Sequence, residues 1–520
     1  MKLSNRYRPG RVLLGTTLMA ATGIAAALVV SPQMVTGAVG VDTSVLREVV
    51  TVEGVRSHQQ ALQNIADAND GVRLSGTSGY DASVDYVVAE LTWAGYDVQV
   101  QAFDFQSFRP TGPSTLEQVA PGFVTYAENT DYNLMSQTDA GDVTGLVTAV
   151  DFDLSPGNAS TSGCEAGDFA GFPAGDIALI QRGACTFQLK AENAAAAGAI
   201  GAIIFNQGNT EDRKGLIDGT LSSDYSGGIP VFFATFDRGA EWIATPGLEM
   251  HMIADVFRGT VQTFNVLAET AGGRHDRVVV VGAHLDSVPQ GPGIQDNGSG
   301  SAAILEIAVQ MAALGIEPRN KVRFAWWGAE ESGLVGSQFY VDNLSKREIK
   351  NIALNLNFDM IGSPNFVRFV YDGNGSETPL RGPAGSKAIE EVFLDYFAEQ
   401  FLENEPTAFD GRSDYGPFIA VGIPAGGLFT GAEGIKTEEQ VLIYGGTAGE
   451  QYDPCYHLAC DTFDNISLEA LDQMSDAAAH AVLTFAMTTS APGGTAQASS
   501  EAEEVASIDD FEFLGSHAQK

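Results

Sequence analysis

The sequence predicts an α/β protein: a mixed, largely parallel sheet covered by helices on both faces, interrupted by an inserted β-rich domain. Three observations carry this. From Asn265 onward, strand-like and helix-like segments alternate, which is the rhythm of strand–helix–strand units. Val278-Val279-Val280-Val281 is a continuous β-branched run, as a strand buried on both faces requires. Between about Gln106 and Thr263 that rhythm is lost, and short strand candidates separated by Gly, Pro, Ser and Asp clusters replace it.

Each element follows in order. Ser57 to Ala94 reads as helical, with Tyr80 to Val87 opening a helix that closes at Gly95. Tyr96 to Phe105 alternates like a strand. The insert, 106–262, holds Cys164, Cys185 and an alanine-rich helix from Lys190 to Ala199. After it come a strand at Val278–Gly282, a helix at Ser301–Leu314, and strands at Val322–Trp327 and Ile352–Phe358. Helices at Ser386–Phe401 and Ser467–Met487 complete the set. The main domain is therefore expected over 39–105 and 263–487. Residues 488–520 mix Gly, Ser and Ala with acidic side chains and read as a disordered tail.

The N-terminus carries Lys2, Arg6, Arg8 and Arg11, then an apolar run from Val12 to Val30, then Thr36-Gly37-Ala38. This reads as a secretion signal over 1–38, cut near Ala38. An uncleaved membrane anchor is the competing reading, because the run is nearly long enough to span a bilayer. A chain of 520 residues is too long for one core, which agrees with two globular units. Against 28 Lys and Arg stand 66 Asp and Glu, a net charge of -38. Nucleic acid and anionic membranes would be repelled, so neither is expected as a partner; a soluble monomer is. Four cysteines in an exported chain suggest disulfides, and nearest-neighbour pairing joins Cys164 to Cys185 and Cys455 to Cys460.

Candidate ligands sit just beyond successive buried strands. Val278–Gly282 leads to His284 and Asp286, Val322–Trp327 to Glu330 and Glu331, and Ile352–Phe358 to Asp359. In open α/β sheets the loops at the carboxyl ends of the strands converge, so residues remote in sequence meet there. Imidazole and carboxylate suit zinc. Asp296 lies in a glycine-rich loop, Gly291-Pro292-Gly293-Ile294-Gln295-Asp296-Asn297-Gly298, which suits a bridging carboxylate between two metals. Glu330 and Glu331 are adjacent and point opposite ways in extended chain, so one can bind metal while the other serves as general base. Asp286 is placed to orient the His284 ring. Each residue alone reads as a cap, turn or solvated charge; their sequence of strand ends is what points to a site. His58, His251, His275, His480 and His517 are expected to be structural or on the surface, His275 and His517 in polar loops.

Several segments carry a family resemblance. Ala283-His284-Leu285-Asp286-Ser287, Asp296-Asn297-Gly298-Ser299-Gly300, Phe324 to Glu331, and Asn357-Phe358-Asp359-Met360-Ile361-Gly362 resemble the secreted bacterial double-zinc aminopeptidases of the streptomycete leucine-aminopeptidase type. Gly411-Arg412-Ser413-Asp414, Gly427-Leu428-Phe429-Thr430-Gly431 and Asp453-Pro454-Cys455-Tyr456-His457 continue the likeness. Within 106–262, Gly163-Cys164, Ile177 to Phe187 and Lys190 to Asn206 resemble a protease-associated domain.

The resemblance implies a zinc exopeptidase fold. It places His284 and Asp359 on one zinc, Glu331 and His457 on the other, and Asp296 between them. It implies Glu330 as general base and Tyr456 as hydrogen-bond donor to the oxyanion. It also implies Arg412, Phe429 and Met360 in the substrate pocket, and a Cys455–Cys460 disulfide. The substrates implied are peptides with a free N-terminus, preferably a large apolar residue. Calcium is a further expected ion: Asp472 and Asp476 match a helical aspartate pair, although Val49 stands where an N-terminal ligand would be, and a solvated acidic face is the alternative. Tyr415 departs from the histidine common at that position. A carboxypeptidase or dipeptidase on this scaffold, or a non-catalytic receptor-like protein, are the competing functions.

Overall fold

The computed structural model describes residues 41–488. The expected signal, 1–38, and the tail beyond 488 lie outside the described residues. Two eight-stranded sheets organise the rest.

The first sheet contains Asp97–Pro110 (β1), Val256–Glu269 (β2), Arg274–His284 (β3), Asn320–Trp327 (β4), Ile352–Phe358 (β5), Phe369–Tyr371 (β6), Glu405–Thr407 (β7) and Ala425–Phe429 (β8). Their spatial order is β1-β2-β4-β3-β5-β8-β6-β7. The centre, β4-β3-β5-β8, is parallel, while β1, β2 and β4 pair antiparallel and β6 lies antiparallel to β8. This is the mixed, largely parallel sheet expected.

Both faces are covered, which explains the unbroken apolar runs. Val279, Val281, Phe324, Trp326, Leu354 and Leu356 face one core. That core is closed by the helices Val52–Asp67 (α1), Ser78–Trp93 (α2), Gly298–Ala313 (α3), Ser386–Glu399 (α4) and Leu468–Met487 (α5). Val278, Val280, Ala325 and Trp327 face the other, against Tyr340, Val341 and Phe418. Alternate side chains of one strand point to opposite faces, so a strand buried twice must be apolar throughout.

Three local expectations shift. The helical stretch Ser57–Ala94 is two helices, because Asp70 (φ 57°) and Gly71 (φ 80°) adopt left-handed conformations that end the first. His275 lies not in a loop but at the start of β3, which begins at Arg274 and pairs that residue with Asn320. The alanine-rich helix spans Phe187–Ala196.

The insert hangs on a two-stranded ribbon. β1 and β2 pair from Asp97↔Glu269 to Pro110↔Val256, so positions 105/106 and 262/263 fall inside continuous strands. Beyond the ribbon lies the second sheet, whose core strands Ile177–Gln181, Gly201–Phe205 and Val231–Ala234 run parallel. Ala178, Ile180 and Ile204 bury on one face, Leu179, Ile203 and Phe205 on the other. The disulfides are Cys164–Cys185 and Cys455–Cys460, as paired from the sequence. No helix among the described residues is long and apolar enough to cross a membrane.

Candidate metal centre

The carboxyl ends of the parallel strands build the site. β3 ends on His284, and β5 hands over directly to Asp359. The turn after β4 carries Glu330 and Glu331. Asp296 precedes Asn297, the N-cap of α3, whose side chain accepts from Gly300 N (2.9 Å) and donates to the Phe358 carbonyl (2.9 Å). The cap thereby ties the Asp296 loop to the end of β5. His457 comes from the short loop closed by Cys455–Cys460. Left-handed backbone recurs beside these groups, at Ala329 (φ 54°), Met360 (φ 51°) and His457 (φ 57°). Non-glycine residues in that region carry strain that the surrounding structure must offset, a pattern of functional sites.

The five expected ligands form two triads that share one carboxylate. Asp296 Oδ1 lies 3.2 Å from His284 Nε2, which is 3.3 Å from Asp359 Oδ1. Asp296 Oδ2 lies 3.1 Å from His457 Nε2, which is 3.2 Å from Glu331 Oε2. Glu330 Oε2 stands off at 3.9 Å from His284 Nε2. Among the described residues, such donors gather in threes here alone, as His284, Asp296 and Glu331 and as His284, Glu330 and Asp359, so Glu330 too lies within reach of the cluster. Asp359 Oδ1 and Glu331 Oε1 are buried and accept no hydrogen bond. Buried carboxylate oxygens demand a partner, and these imidazole and carboxylate donors suit divalent zinc.

The electrostatics agree. Burial disfavours the charged His284 ring, yet the facing Glu330 and Asp359 carboxylates outweigh it and hold its pKa well above the ordinary value. Burial opposes His457 likewise, while Glu331 and Asp296 lift it to about 10. Burial pushes Glu330 well above the carboxylate range and Glu331 to about 7, despite the neighbouring histidines. Carboxylates this crowded and desolvated attract cations.

Neighbours hold these groups in place. His284 Nδ1 faces the Asp286 backbone carbonyl at 3.2 Å and its carboxylate at 3.7 Å, and that carboxylate accepts from Glu330 N (3.2 Å). Asp286 thus touches both the ring and the turn. Ser413 Oγ donates to Asp359 Oδ2 (2.5 Å) and accepts from Asn357 Nδ2 (2.7 Å). Asp461 accepts from Gln295 N (2.8 Å) and Asp296 N (3.0 Å). Buried Arg73 donates to the Leu285, Pro292 and Gly293 carbonyls.

Arg412, Phe429, Met360 and Tyr456 line the same pocket as the ligands and Glu330, together with Tyr371 and Ala432. Every expected catalytic, ligand and pocket residue is therefore brought together. Asp472 and Asp476 lie on α5, where the Arg47 guanidinium is 3.8 Å from Asp476. That guanidinium faces one member of the expected calcium pair, and among the described residues no group of three acidic donors gathers there. Sequence reasoning did not single out Arg73, Ser413 or Asp461. Asp461 had a usable signal, directly following Cys460 in the His457 loop. Tyr415 is buried, with its hydroxyl donating to Asp410 (2.8 Å) and accepting from Gly411 N (2.9 Å).

A model of peptidase family M28 matches residues 265–482, and one of the PA domain matches 143–242. An aminopeptidase of Pseudomonas aeruginosa is 58% identical over 431 residues, spanning 83% of this chain and 80% of that protein. A probable lipoprotein aminopeptidase of Mycobacterium tuberculosis is 42% identical over 86% of this chain and 88% of its own length. Among solved structures, an aminopeptidase from Aneurinibacillus sp. strain AM-1 superposes with a TM-score of 0.64 at 26% identity, covering 86% of this chain and 96% of the other. A zinc aminopeptidase from Bacillus subtilis gives a TM-score of 0.61 at 25% identity, covering 84% and 95%.

Proposed function

The chain belongs to peptidase family M28, with a PA domain inserted in it, and we propose that this metallo-aminopeptidase is exported and releases N-terminal residues with two zinc ions. The observation that carries the proposal is Asp296, whose two oxygens face two different histidines. His284 and Asp359 would hold one ion, His457 and Glu331 the other, with Asp296 between. Zinc held there would supply a Lewis acid that lowers the pKa of a water and polarises the scissile carbonyl. Glu330, near His284 but outside both triads, takes the proton of the attacking water and passes it to the departing amine. Tyr456 donates to the developing oxyanion. The carboxylates of Glu330 and Asp359 suit a protonated substrate α-amine, which limits action to chain ends. Met360, Tyr371, Phe429 and Ala432 give the pocket an apolar wall, which favours a large apolar first residue. Two disulfides and the N-terminal signal motif support export. We place the limits of the insert at 105/106 and 262/263, part-way along the β1–β2 ribbon that joins it to the main sheet.

Aminoacyl and N-acetyl-aminoacyl p-nitroanilides, assayed with and without a strong chelator, test this. Leucine p-nitroanilide should be cleaved, its N-acetyl form spared, and the chelated enzyme restored by zinc. Full activity of verified metal-free protein, or equal cleavage of the acetylated substrate, would overturn it.

A further inference from the structure

The pocket lining contains a hydrogen bond with a fixed direction. Arg412 Nη2 lies 3.3 Å from Tyr456 Oη. A guanidinium has five N–H donors and no acceptor, so Tyr456 must accept. Its own hydroxyl proton is then left to point elsewhere. Among the described residues, Tyr456 Oη makes no other hydrogen bond, and Tyr456 lines the pocket beside Asp296, Glu330 and His457. The tyrosine ring cannot swing freely, because it stacks on His457 with centroids 3.8 Å apart and planes 25° off parallel.

Arg412 is itself held. Its Nη1 donates to Glu433 Oε1 at 2.7 Å. Its backbone N–H donates to Asp410 Oδ1 (3.1 Å), a carboxylate that also accepts from the Tyr415 hydroxyl. Side chain and main chain of Arg412 are thus anchored separately. A charge-assisted donor on the Tyr456 oxygen also polarises its O–H and strengthens the bond that hydroxyl gives.

We propose that Arg412, braced by Glu433, is a positioning residue that turns the Tyr456 proton toward the substrate oxyanion, beyond any part it has in lining the pocket. Glu433 is the outer end of this relay. The proposal rests on the reading of Tyr456 as oxyanion donor.

The test is a double-mutant cycle on leucine p-nitroanilide, with kcat and KM read separately and zinc content measured on each sample. Tyr456→Phe should lower kcat about 100-fold. Arg412→Met should lower kcat about 10-fold with KM nearly unchanged, and should add almost nothing to Tyr456→Phe, since the proton it aims is already gone. Glu433→Leu should follow Arg412→Met at smaller amplitude, whereas Glu433→Gln, whose amide oxygen still accepts, should keep most of kcat. Equal kcat losses from Arg412→Met in both backgrounds, or an effect on KM alone, overturn the relay while leaving Tyr456 in its role. An unchanged kcat in Tyr456→Phe sinks the oxyanion reading and the relay with it. Glu433→Leu, at a half-exposed rim position, supplies the same cycle with Tyr456→Phe if Arg412→Met fails to fold.

Discussion

The two triads that share Asp296 rest on different scaffolds. In one, His284 ends β3 and Asp359 follows β5, and these neighbouring parallel strands are laddered from Val278↔Ile352 to Gly282↔Asn357. In the other, Glu331 sits on a turn and His457 on a loop, in left-handed backbone. The His284 side chain is 1% exposed and that of His457 12%. Strand ends place a ligand through hydrogen bonds that the sheet makes in any case. A loop ligand needs dedicated ties: here a disulfide and the Asp461 carboxylate. The strand half should therefore tolerate loss of a supporting contact better than the loop half.

The largest expected effect lies at the seam between them. Glu330 belongs to the turn that carries Glu331 yet leans toward His284 of the strand half. As general base it should contribute to turnover without holding metal. Glu330→Ala is expected to lower kcat by about 10²- to 10⁴-fold. Metal analysis should still find two zinc ions per chain. Loss of one ion would make Glu330 a ligand and redraw the division into halves.

The supports come next. Asp461 gives one oxygen to each of two backbone N–H groups, so Asp461→Asn leaves one facing an amide nitrogen that cannot accept. Zinc affinity, read by competition with a chelator, should fall about 10- to 100-fold. Ser413→Ala removes the donor to Asp359 Oδ2, but Asp359 stays pinned to the end of β5. Its loss should sit at or below the lower end of that range. A larger loss from Ser413→Ala than from Asp461→Asn would reverse the claim that strand ends are the sturdier mounts.

The same difference decides how much was legible in the sequence. His284, Glu330, Glu331 and Asp359 could be found from apolar runs alone, because a buried strand announces its own end. His457 has no strand before it, and only resemblance pointed there. Ser413 lies in the Gly411–Asp414 segment and Asp461 beside Cys460, but the contacts through which they act, 54 and 165 residues distant in sequence, are made only by the tertiary fold. Arg73 was hidden differently: it lies within the stretch Ser57–Ala94 read as helical, yet it is buried against carbonyls more than 200 residues away. The ribbon of β1 and β2 was half visible, since Tyr96–Phe105 alternates but its continuation to Pro110 depends on pairing with Val256–Thr260. The helix limits drifted by a few residues, as ends set by capping do.

The disulfides give the smallest and most discriminating effect, because stability and function should rank them in opposite order. Cys164 and Cys185 are 21 residues apart in the insert, and Cys455 and Cys460 only 5 apart beside His457. By loop-closure entropy the longer loop is worth about 3 kcal/mol and the shorter about 2 kcal/mol. The paired change Cys164→Ser with Cys185→Ser should therefore lower the denaturant midpoint more, yet leave kcat/KM on leucine p-nitroanilide close to its starting value, since the residues lining the pocket all lie outside the insert. The paired change Cys455→Ser with Cys460→Ser should cost less stability but lower kcat/KM several-fold, because His457 then depends on Asp461 and its neighbours alone to hold a left-handed backbone. Added zinc should recover part of that loss by favouring the ordered loop, as any ligand of the folded arrangement does. Should the insert's disulfide prove the one that activity needs, the loop would not be the fragile half, and the insert would have to act on the metal centre through β1 and β2.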